Sequence, residues 1–150
     1  MGDGSSAPAR DDWLVAPPAD ARVIDTGGAR WWLDGDGVVH NQSYVRVVTP
    51  DHLRAGFRAA AEFGAGKKVA LVAESGPLSE TSREARDLLA SEEAAAVFCA
   101  IAVLVRSPVA RTIMNFFVRF SSPPFPVHMF TAPNEARAWA REQVRAFGRE

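Results

Sequence analysis

Residues 97–105 read VFCAIAVLV, a stretch without a charged side chain. A short apolar run of this kind, rich in Val, predicts a central β-strand that is covered on both faces. Ser107-Pro108 follows and is typical of a helix start, with the serine as N-cap and the proline in the first turn. A buried strand that leads directly into a helix indicates a parallel sheet with crossover helices.

The same pattern occurs upstream of this central strand. Lys68–Ala73 is a second, largely apolar segment and predicts another strand that is covered on both faces. Before it, Thr49-Pro50 predicts the start of a helix, because threonine is a good N-cap and proline suits the first helical position. Gly64 or Gly66 is expected to end that helix.

Two further helices and a strand complete the pattern. Thr81 and Glu84 have the spacing of a capping box, which predicts a second helix with Thr81 as its N-cap. Val127–Phe130 predicts the last strand, and a fourth helix is expected to begin at Thr131 or Ala132.

An N-terminal hairpin precedes these elements. Ala29–Leu33 is apolar and aromatic, and Asp34-Gly35-Asp36-Gly37 is a strong turn signal before Val38-Val39. Tyr44–Val48 predicts a further short strand. From there the order β-α-β-α-β-α-β-α predicts an α/β layered fold: a mostly parallel, mixed β-sheet with about four helices and the hairpin.

The length of 150 residues indicates one domain, which we expect to span residues 21–150. Residues 1–20 are rich in Gly, Ser, Pro and Asp, so we expect them to form a disordered or loosely docked leader. Trp13, Leu14 and Val15 are the residues of this leader that are able to dock on the domain.

Charge and hydropathy exclude several classes of function. Seventeen basic and eighteen acidic side chains give a net charge of -1, so we expect no nucleic-acid partner. The longest apolar run, Ala94–Val105, is too short for a bilayer that needs about 20 residues. With no transmembrane segment and no secretory signal, a cytoplasmic protein is expected, with peripheral membrane association as an open alternative.

The sequence offers no catalytic constellation. His40, His52 and His128 lie far apart in the chain and lack the spacing of metal ligands. Cys99 is the only cysteine, so no internal disulfide can form, and its apolar surroundings indicate a core residue. We therefore expect no enzyme activity, no metal site and no cofactor.

Three blocks of sequence resemble a known family. They are SREARDLL (Ser82–Leu89), SPVARTIMNFF (Ser107–Phe117) and PPFPVHMFTAPNEARAW (Pro123–Trp139). Over roughly residues 31–139 the chain resembles the STAS-like proteins, in the SpoIIAA-like branch of small stand-alone bacterial domains. The resemblance implies a regulatory module that binds a protein partner without catalysis.

The same resemblance implies two further properties. In the antagonist branch, a Ser or Thr at the start of a helix is phosphorylated, which places Thr81 and Ser82 as candidate phosphorylation residues. The Asp-Ser and Gly elements of that family motif are absent around Thr81-Ser82-Arg83. The SpoIIAA-like relatives are also similar to lipid-transfer (CRAL-TRIO-like) domains, which implies an apolar or lipid-like ligand.

A candidate binding site lies at the carboxyl ends of the predicted strands, where ligands collect in open α/β sheets. Glu74 ends one strand, Arg86 lies on the helix after it, and Arg111 lies near the start of the third helix. An arginine there is able to bind a carboxylate or a phosphate. The alternative is an ordinary ion pair between Glu74 or Glu84 and one of these arginines.

The predicted third helix is apolar around most of its circumference. Asn115, Phe116, Phe117 and Phe120 are its candidate binding residues. Such a helix is buried on two sides. It is either a deep core helix, a homodimer face, a cover over an apolar ligand, or a surface that touches a membrane.

Charge is unevenly distributed along the chain. Residues 99–150 hold seven Arg and three Glu, whereas residues 1–98 hold ten basic and fifteen acidic side chains. Arg137, Arg141 and Arg145 repeat every four residues on the predicted fourth helix, which is typical of a solvated face. The sequence thus predicts a non-enzymatic interaction module, expected to be homodimeric, with a carrier or sensor of an amphipathic ligand as the alternative.

Overall fold

The computed structural model describes residues 13–76, 79–109, 111–112 and 122–148. Six described strands form the main sheet: β1 (Val23–Asp25), β2 (Ala29–Leu33), β3 (Val39–Ser43), β5 (Val69–Ser75), β7 (Phe98–Leu104) and β8 (Val127–Phe130). Their spatial order is β1-β2-β3-β5-β7-β8. The pairs β1–β2 and β2–β3 are antiparallel, and the remaining pairs are parallel. β4 (Val47–Val48) and β6 (Glu80–Thr81) form a separate parallel pair.

Four helices connect or cover these strands: α1 (Pro50–Gly64), α2 (Arg83–Leu89), α3 (Glu92–Ala95) and α4 (Pro133–Gly148). Residues 108–109 and 111–112 are also helical. This arrangement confirms the predicted fold class, a mostly parallel mixed sheet with an N-terminal hairpin. Across the described ranges, no helix is both long enough and apolar enough to cross a membrane.

Helix α1 begins and ends where the sequence predicts. The Thr49 hydroxyl accepts a hydrogen bond from the His52 backbone N–H, and the Thr49 N–H donates to His52 Nδ1 over 3.1 Å. His52 therefore serves as a partner in helix capping. After Gly64, Ala65 and Gly66 adopt left-handed conformations, with φ of 50° and 92°, which stop the helix.

The two faces of the sheet carry separate apolar cores. One face packs against α1, α2 and α3 and contains Trp31 and Phe98. The other packs against α4, whose Ala136 and Ala140 approach small strand residues. A register shift in the β5–β7 pair places both Cys99 and its neighbour Ala100 on the α4 face. Cys99 is a buried residue of the core there, as the sequence predicts.

The structure corrects which strand begins the parallel series. The sequence predicts Tyr44–Val48 for that position, but β3 is the strand that pairs in parallel with β5. Only Val47–Val48 of the predicted segment is a strand, and it belongs to the small β4–β6 sheet. The hairpin strand continues to Ser43 with four polar residues, HNQS, which lack the apolar pattern of a buried strand.

The start of α2 is also corrected, by one residue. Thr81 is not the helix cap, because it is extended and pairs with Val48 in the β4–β6 ladder. Ser82 is the N-cap, and its hydroxyl accepts a hydrogen bond from the Ala85 N–H over 3.1 Å. Because β6 continues to Thr81, helix α2 begins one residue later than the sequence predicts.

Candidate functional site

Polar side chains from neighbouring strands converge near the carboxyl end of the parallel strands, on the α4 face. Gln42 of β3 and Glu74 of β5 are paired across the strands and are only 1% and 3% exposed. Gln42 Nε2 donates to Glu74 Oε1 over 3.1 Å, and Arg106 Nη2 lies 3.2 Å from Glu74 Oε2. Arg30 Nε donates to Gln42 Oε1 over 2.6 Å. We call these four residues the Gln42–Glu74 cluster.

An N-terminal segment, residues 13–18, lies against this cluster, and we call it the arm. The Leu14 backbone N–H donates to Glu74 Oε2 over 2.6 Å. Gln42 Nε2 also donates to the Val15 carbonyl oxygen over 2.6 Å. Two buried side chains therefore bind the main chain of two consecutive arm residues, one as acceptor and one as donor.

The side chains of the arm alternate between the domain and solvent. Trp13 is buried, and the guanidinium of Arg30 lies 5.7 Å from the centre of its ring. Val15 packs against the α4-side core, whereas Leu14 is 38% exposed and Ala16 is exposed. An extended chain presents alternate side chains to opposite sides. The arm is thus bound as a largely extended segment that bends at Leu14 and has two inward anchors, Trp13 and Val15.

A second set of polar side chains connects the β2–β3 turn to α4. His40 Nε2 lies 2.7 Å from Asp34 Oδ2, and Arg137 Nε lies 3.1 Å from the same oxygen. Arg137 Nη2 also lies 2.8 Å from Asp36 Oδ2, and Arg141 Nη1 lies 3.6 Å from it. The predicted solvated row of arginines on α4 is therefore partly engaged by this acidic turn.

Asp34 is held in its charged form by these partners. Burial alone would raise its pKa, but hydrogen bonds from His40 and from the N–H groups of Val38 and Asp36 lower it below its ordinary value. The imidazole of His40 is stacked on Trp32, with ring centres 5.2 Å apart. The turn is thus fixed by a pre-organised carboxylate.

Two cavities adjoin the arm. A small one, of about 110 Å³, lies between the arm and the start of α4, and Ala16, Trp32, His40 and Asn134 are among its lining residues. A more open groove of about 540 Å³ lies where the arm joins β1, and its apolar lining includes Pro18, Leu33 and Phe63.

The structure brings one of the predicted binding residues, Glu74, into the Gln42–Glu74 cluster. Arg86 lies on α2, on the opposite face of the sheet, and its Nη1 donates to the Thr81 carbonyl over 2.6 Å. Arg111 is exposed, and its N–H donates to the Ser107 carbonyl over 3.0 Å. The ion pair of Glu74 is formed with Arg106, a residue that the sequence does not single out.

The other predicted binding residues lie outside the described part of the chain. They are Asn115, Phe116, Phe117 and Phe120 of the third predicted helix. The interpretations built on that helix (a homodimer face, a cover over an apolar ligand, a membrane contact) stay predictions. Of the candidate phosphorylation residues, Ser82 caps α2 and Thr81 precedes it in β6.

Sequence reasoning missed Arg30, Gln42 and Arg106 as site residues. Their partners are 12 to 32 positions away in the chain. A local pattern holds no information on such pairings. One signal was available: a strand of five residues with four polar side chains requires buried hydrogen-bond partners if it enters a sheet.

The thiol of Cys99 is buried in the described core. Burial raises the pKa of the Cys99 thiol, which disfavours the nucleophilic thiolate. Within the ranges that the structure covers, no three His, Cys, Asp or Glu side chains are grouped so that they could hold a metal ion. The Gln42–Glu74 cluster binds the main chain of Leu14 and Val15.

The fold and the cluster define an α/β domain that holds an extended segment of its own chain. The chain belongs to the family described as "Domain of unknown function (DUF7793)", whose model matches residues 31–144. Gln42, Glu74 and Arg106 lie inside the matched range, whereas Arg30 and the arm lie outside it. No curated protein and no solved structure matches the chain.

Proposed function

We propose that this protein is a non-enzymatic interaction module that binds an extended polypeptide segment in the groove now held by its arm. The observation that carries this proposal is a pair of hydrogen bonds: Gln42 donates to the Val15 carbonyl, and Glu74 accepts from the Leu14 N–H. Main-chain hydrogen bonds give affinity for any extended segment, and pockets for alternate side chains give specificity.

The inward anchors define the class of segment that fits. Trp13 and Val15 are two residues apart and face the domain, so the groove suits an aromatic residue followed by a branched aliphatic residue at that spacing. Arg30 beside the Trp13 ring favours an aromatic side chain at the first position.

The way the arm is held supports reversible binding. Trp13 Nε1 is buried and has no hydrogen-bond partner among the described residues. A buried donor without a partner costs about 1–3 kcal/mol. The arm is therefore an imperfect occupant, and a competing segment that satisfies this donor would have an advantage over it.

The arrangement of the polar groups supports binding over catalysis. Glu74 accepts hydrogen bonds from the Leu14 N–H, Gln42 and Arg106, so its oxygens are committed to the arm and the sheet. A general acid or base needs access to a substrate proton. A role as a STAS-like regulator, with phosphorylation at Thr81 or Ser82, is compatible with this proposal and rests on the sequence resemblance.

A peptide-binding measurement on the full chain tests the proposal. The probe is a fluorescently labelled peptide with the sequence of residues 11–20, and binding is followed by fluorescence anisotropy. We expect the double variant Trp13→Ala/Leu14→Pro to bind it more tightly than the unaltered chain, because its own arm no longer competes. A peptide with Ala in place of its Trp is the matched control and should bind at least tenfold more weakly, which corresponds to about 1.4 kcal/mol.

Two results would contradict the proposal. One is equal, weak binding of both peptides by the arm-altered chain. The other is binding that persists unchanged when Gln42→Leu is added to that chain, since the groove would then lack the donor that recognises the main chain.

A further inference from the structure

The link between the arm and the domain is short and simple. Pro17 and Pro18 are the last two residues of the arm. One backbone hydrogen bond, from the Ala21 N–H to the Pro18 carbonyl over 3.0 Å, closes the turn between the arm and β1. The residues at positions 18–20 are exposed. Consecutive prolines favour an extended chain, so opening this turn would direct the arm away from its own domain.

A partly apolar groove lies beside this turn, and the charged residues Asp20, Arg22 and Asp34 also line it. Leu33 is 37% exposed on the lining of the 540 Å³ groove, which Pro18 and Phe63 also line. Clustered exposed apolar residues of this kind mark interaction surfaces more often than isolated ones.

We propose that two copies of this chain exchange their arms, so that the arm of each copy occupies the groove of the other. This inference rests on the proposed function, because it requires that the groove accept a segment in trans. The contacts of Trp13, Leu14 and Val15 with Arg30, Gln42 and Glu74 would be the same in the exchanged dimer as in the single chain.

The balance between the single chain and the exchanged dimer then depends on the contacts that change at the turn between the arm and β1. A tethered arm has an effective concentration in the millimolar range, which favours the closed single chain. In an exchanged pair related by twofold symmetry, the two arms cross beside the grooves that Pro18, Leu33 and Phe63 line. Covering Leu33 there supplies the additional apolar burial that stabilises the dimer.

Cross-linking between chains that each carry one added cysteine tests this inference. Ala16 of the arm and Asn134 of α4 line the same small cavity, so Ala16→Cys and Asn134→Cys place two reactive thiols close together. The two single variants are mixed as full-length chains, incubated, and treated with a short bis-maleimide. A mixed covalent dimer whose formation is blocked by free peptide of residues 11–20 requires that an arm reaches the groove of another copy. The unaltered chain, in which Cys99 is buried, is the control for background reaction.

We expect a mixed covalent dimer whose yield rises with protein concentration. Leu33→Asp should lower that yield about tenfold, a change of about 1.4 kcal/mol, and should leave the intrachain cross-link of the double variant Ala16→Cys/Asn134→Cys unchanged. Excess unlabelled peptide of residues 11–20 should also lower it.

Opposite results separate the two proposals. If the double variant cross-links within one chain and the mixture gives no covalent dimer at any concentration, arm exchange is wrong. In that case binding of the labelled peptide by the arm-altered chain would still support the proposed function. If that peptide does not bind, the proposed function and arm exchange fail together.

Discussion

Gln42 and Glu74 face each other across the parallel pair β3–β5, and both also bind the main chain of the arm, at Val15 and Leu14. A single amide, Gln42, therefore links two strands and the arm, with Arg30 Nε as donor to its oxygen. Because Gln42 is almost completely buried, the loss of its amide leaves several polar partners without a bond.

Gln42→Leu is expected to lower the free energy of unfolding by about 1–3 kcal/mol, since buried polar groups that lose their partner cost that much. Urea denaturation followed by circular dichroism measures the change. Gln143→Leu on α4 is the matched control and should alter stability by no more than about 0.5 kcal/mol. An equal effect of the two changes would show that the Gln42 amide has no special part in the fold.

Leu14→Pro is expected to release the arm, because proline lacks the N–H that donates to Glu74. Release exposes Trp13, so its indole N–H signal in a nitrogen–proton NMR spectrum should move to the position of an unfolded chain. Leu14→Ala keeps the backbone donor and removes only a partly exposed side chain, and should leave that signal in place. If both variants shift it alike, the hydrogen bond to Glu74 does not hold the arm.

The sequence predicts the parts of the fold that depend on local patterns. The apolar run around Cys99, the Thr49-Pro50 cap and the Asp-Gly turn at residues 34–37 each specify an element through neighbouring residues alone. The first parallel strand was missed because the HNQS residues of β3 are buried through partners distant in the chain. Their burial depends on side chains such as Glu74, which no local pattern connects to them.

The candidate site was predictable only in part for the same reason. The rule that ligands collect at the carboxyl ends of parallel strands predicts Glu74 as a site residue. Arg86 was grouped with it, but lies on the opposite face, since a helix that follows a strand is free to pack on either side. The docking of Trp13 beside Arg30 involves residues from two segments that are separate in sequence, and aromatic spacing alone does not reveal it.

Lowering the pH is expected to destabilise the β2–β3 turn through Asp34. The folded-state pKa of Asp34 is depressed below its ordinary value of 3.8, so its stabilising contribution is present above that pH and is lost as the pH falls through the lower folded value. Unfolding measured across the acid range should have a shallower pH dependence in Asp34→Asn. Asp20→Asn, an exposed position, should keep the original slope. An unchanged pH dependence of unfolding in Asp34→Asn would contradict a stabilising role for the ionised Asp34.

At alkaline pH the relevant group is Tyr44, the only tyrosine. Burial, followed by its hydrogen bond to Asp25 Oδ1, raises the pKa of Tyr44 to about 12. The stability that this phenol contributes is present below its ordinary pKa of 10.0 and is lost as the pH rises through the folded value. Tyrosinate absorbance, with circular dichroism as a check on folding, should show this late ionisation, and Asp25→Asn should bring it closer to the ordinary value. Ionisation of Tyr44 near pH 10 in the folded chain would contradict the raised pKa.

Helix α1 approaches the sheet closely at Gly56. A Cβ atom there would lie 2.0 Å from Cζ2 of Trp31, so Gly56→Ala should lower the free energy of unfolding by about 1–3 kcal/mol through overpacking. Gly35→Ala is the matched control, because a Cβ at Gly35 meets no atom within 4 Å. Thermal unfolding of the two variants compares them directly, and a smaller loss at Gly56 than at Gly35 would argue against this close approach.

Hydrogen exchange at the Leu14 amide, measured in the full chain with and without excess peptide of residues 11–20, tests the central claim most directly. The hydrogen bond to Glu74 predicts that this amide is protected in the free protein, and that its exchange accelerates as the peptide takes over the groove. An amide that exchanges at the unfolded rate from the outset, or one whose protection does not change at saturating peptide, would contradict a groove that binds extended segments reversibly.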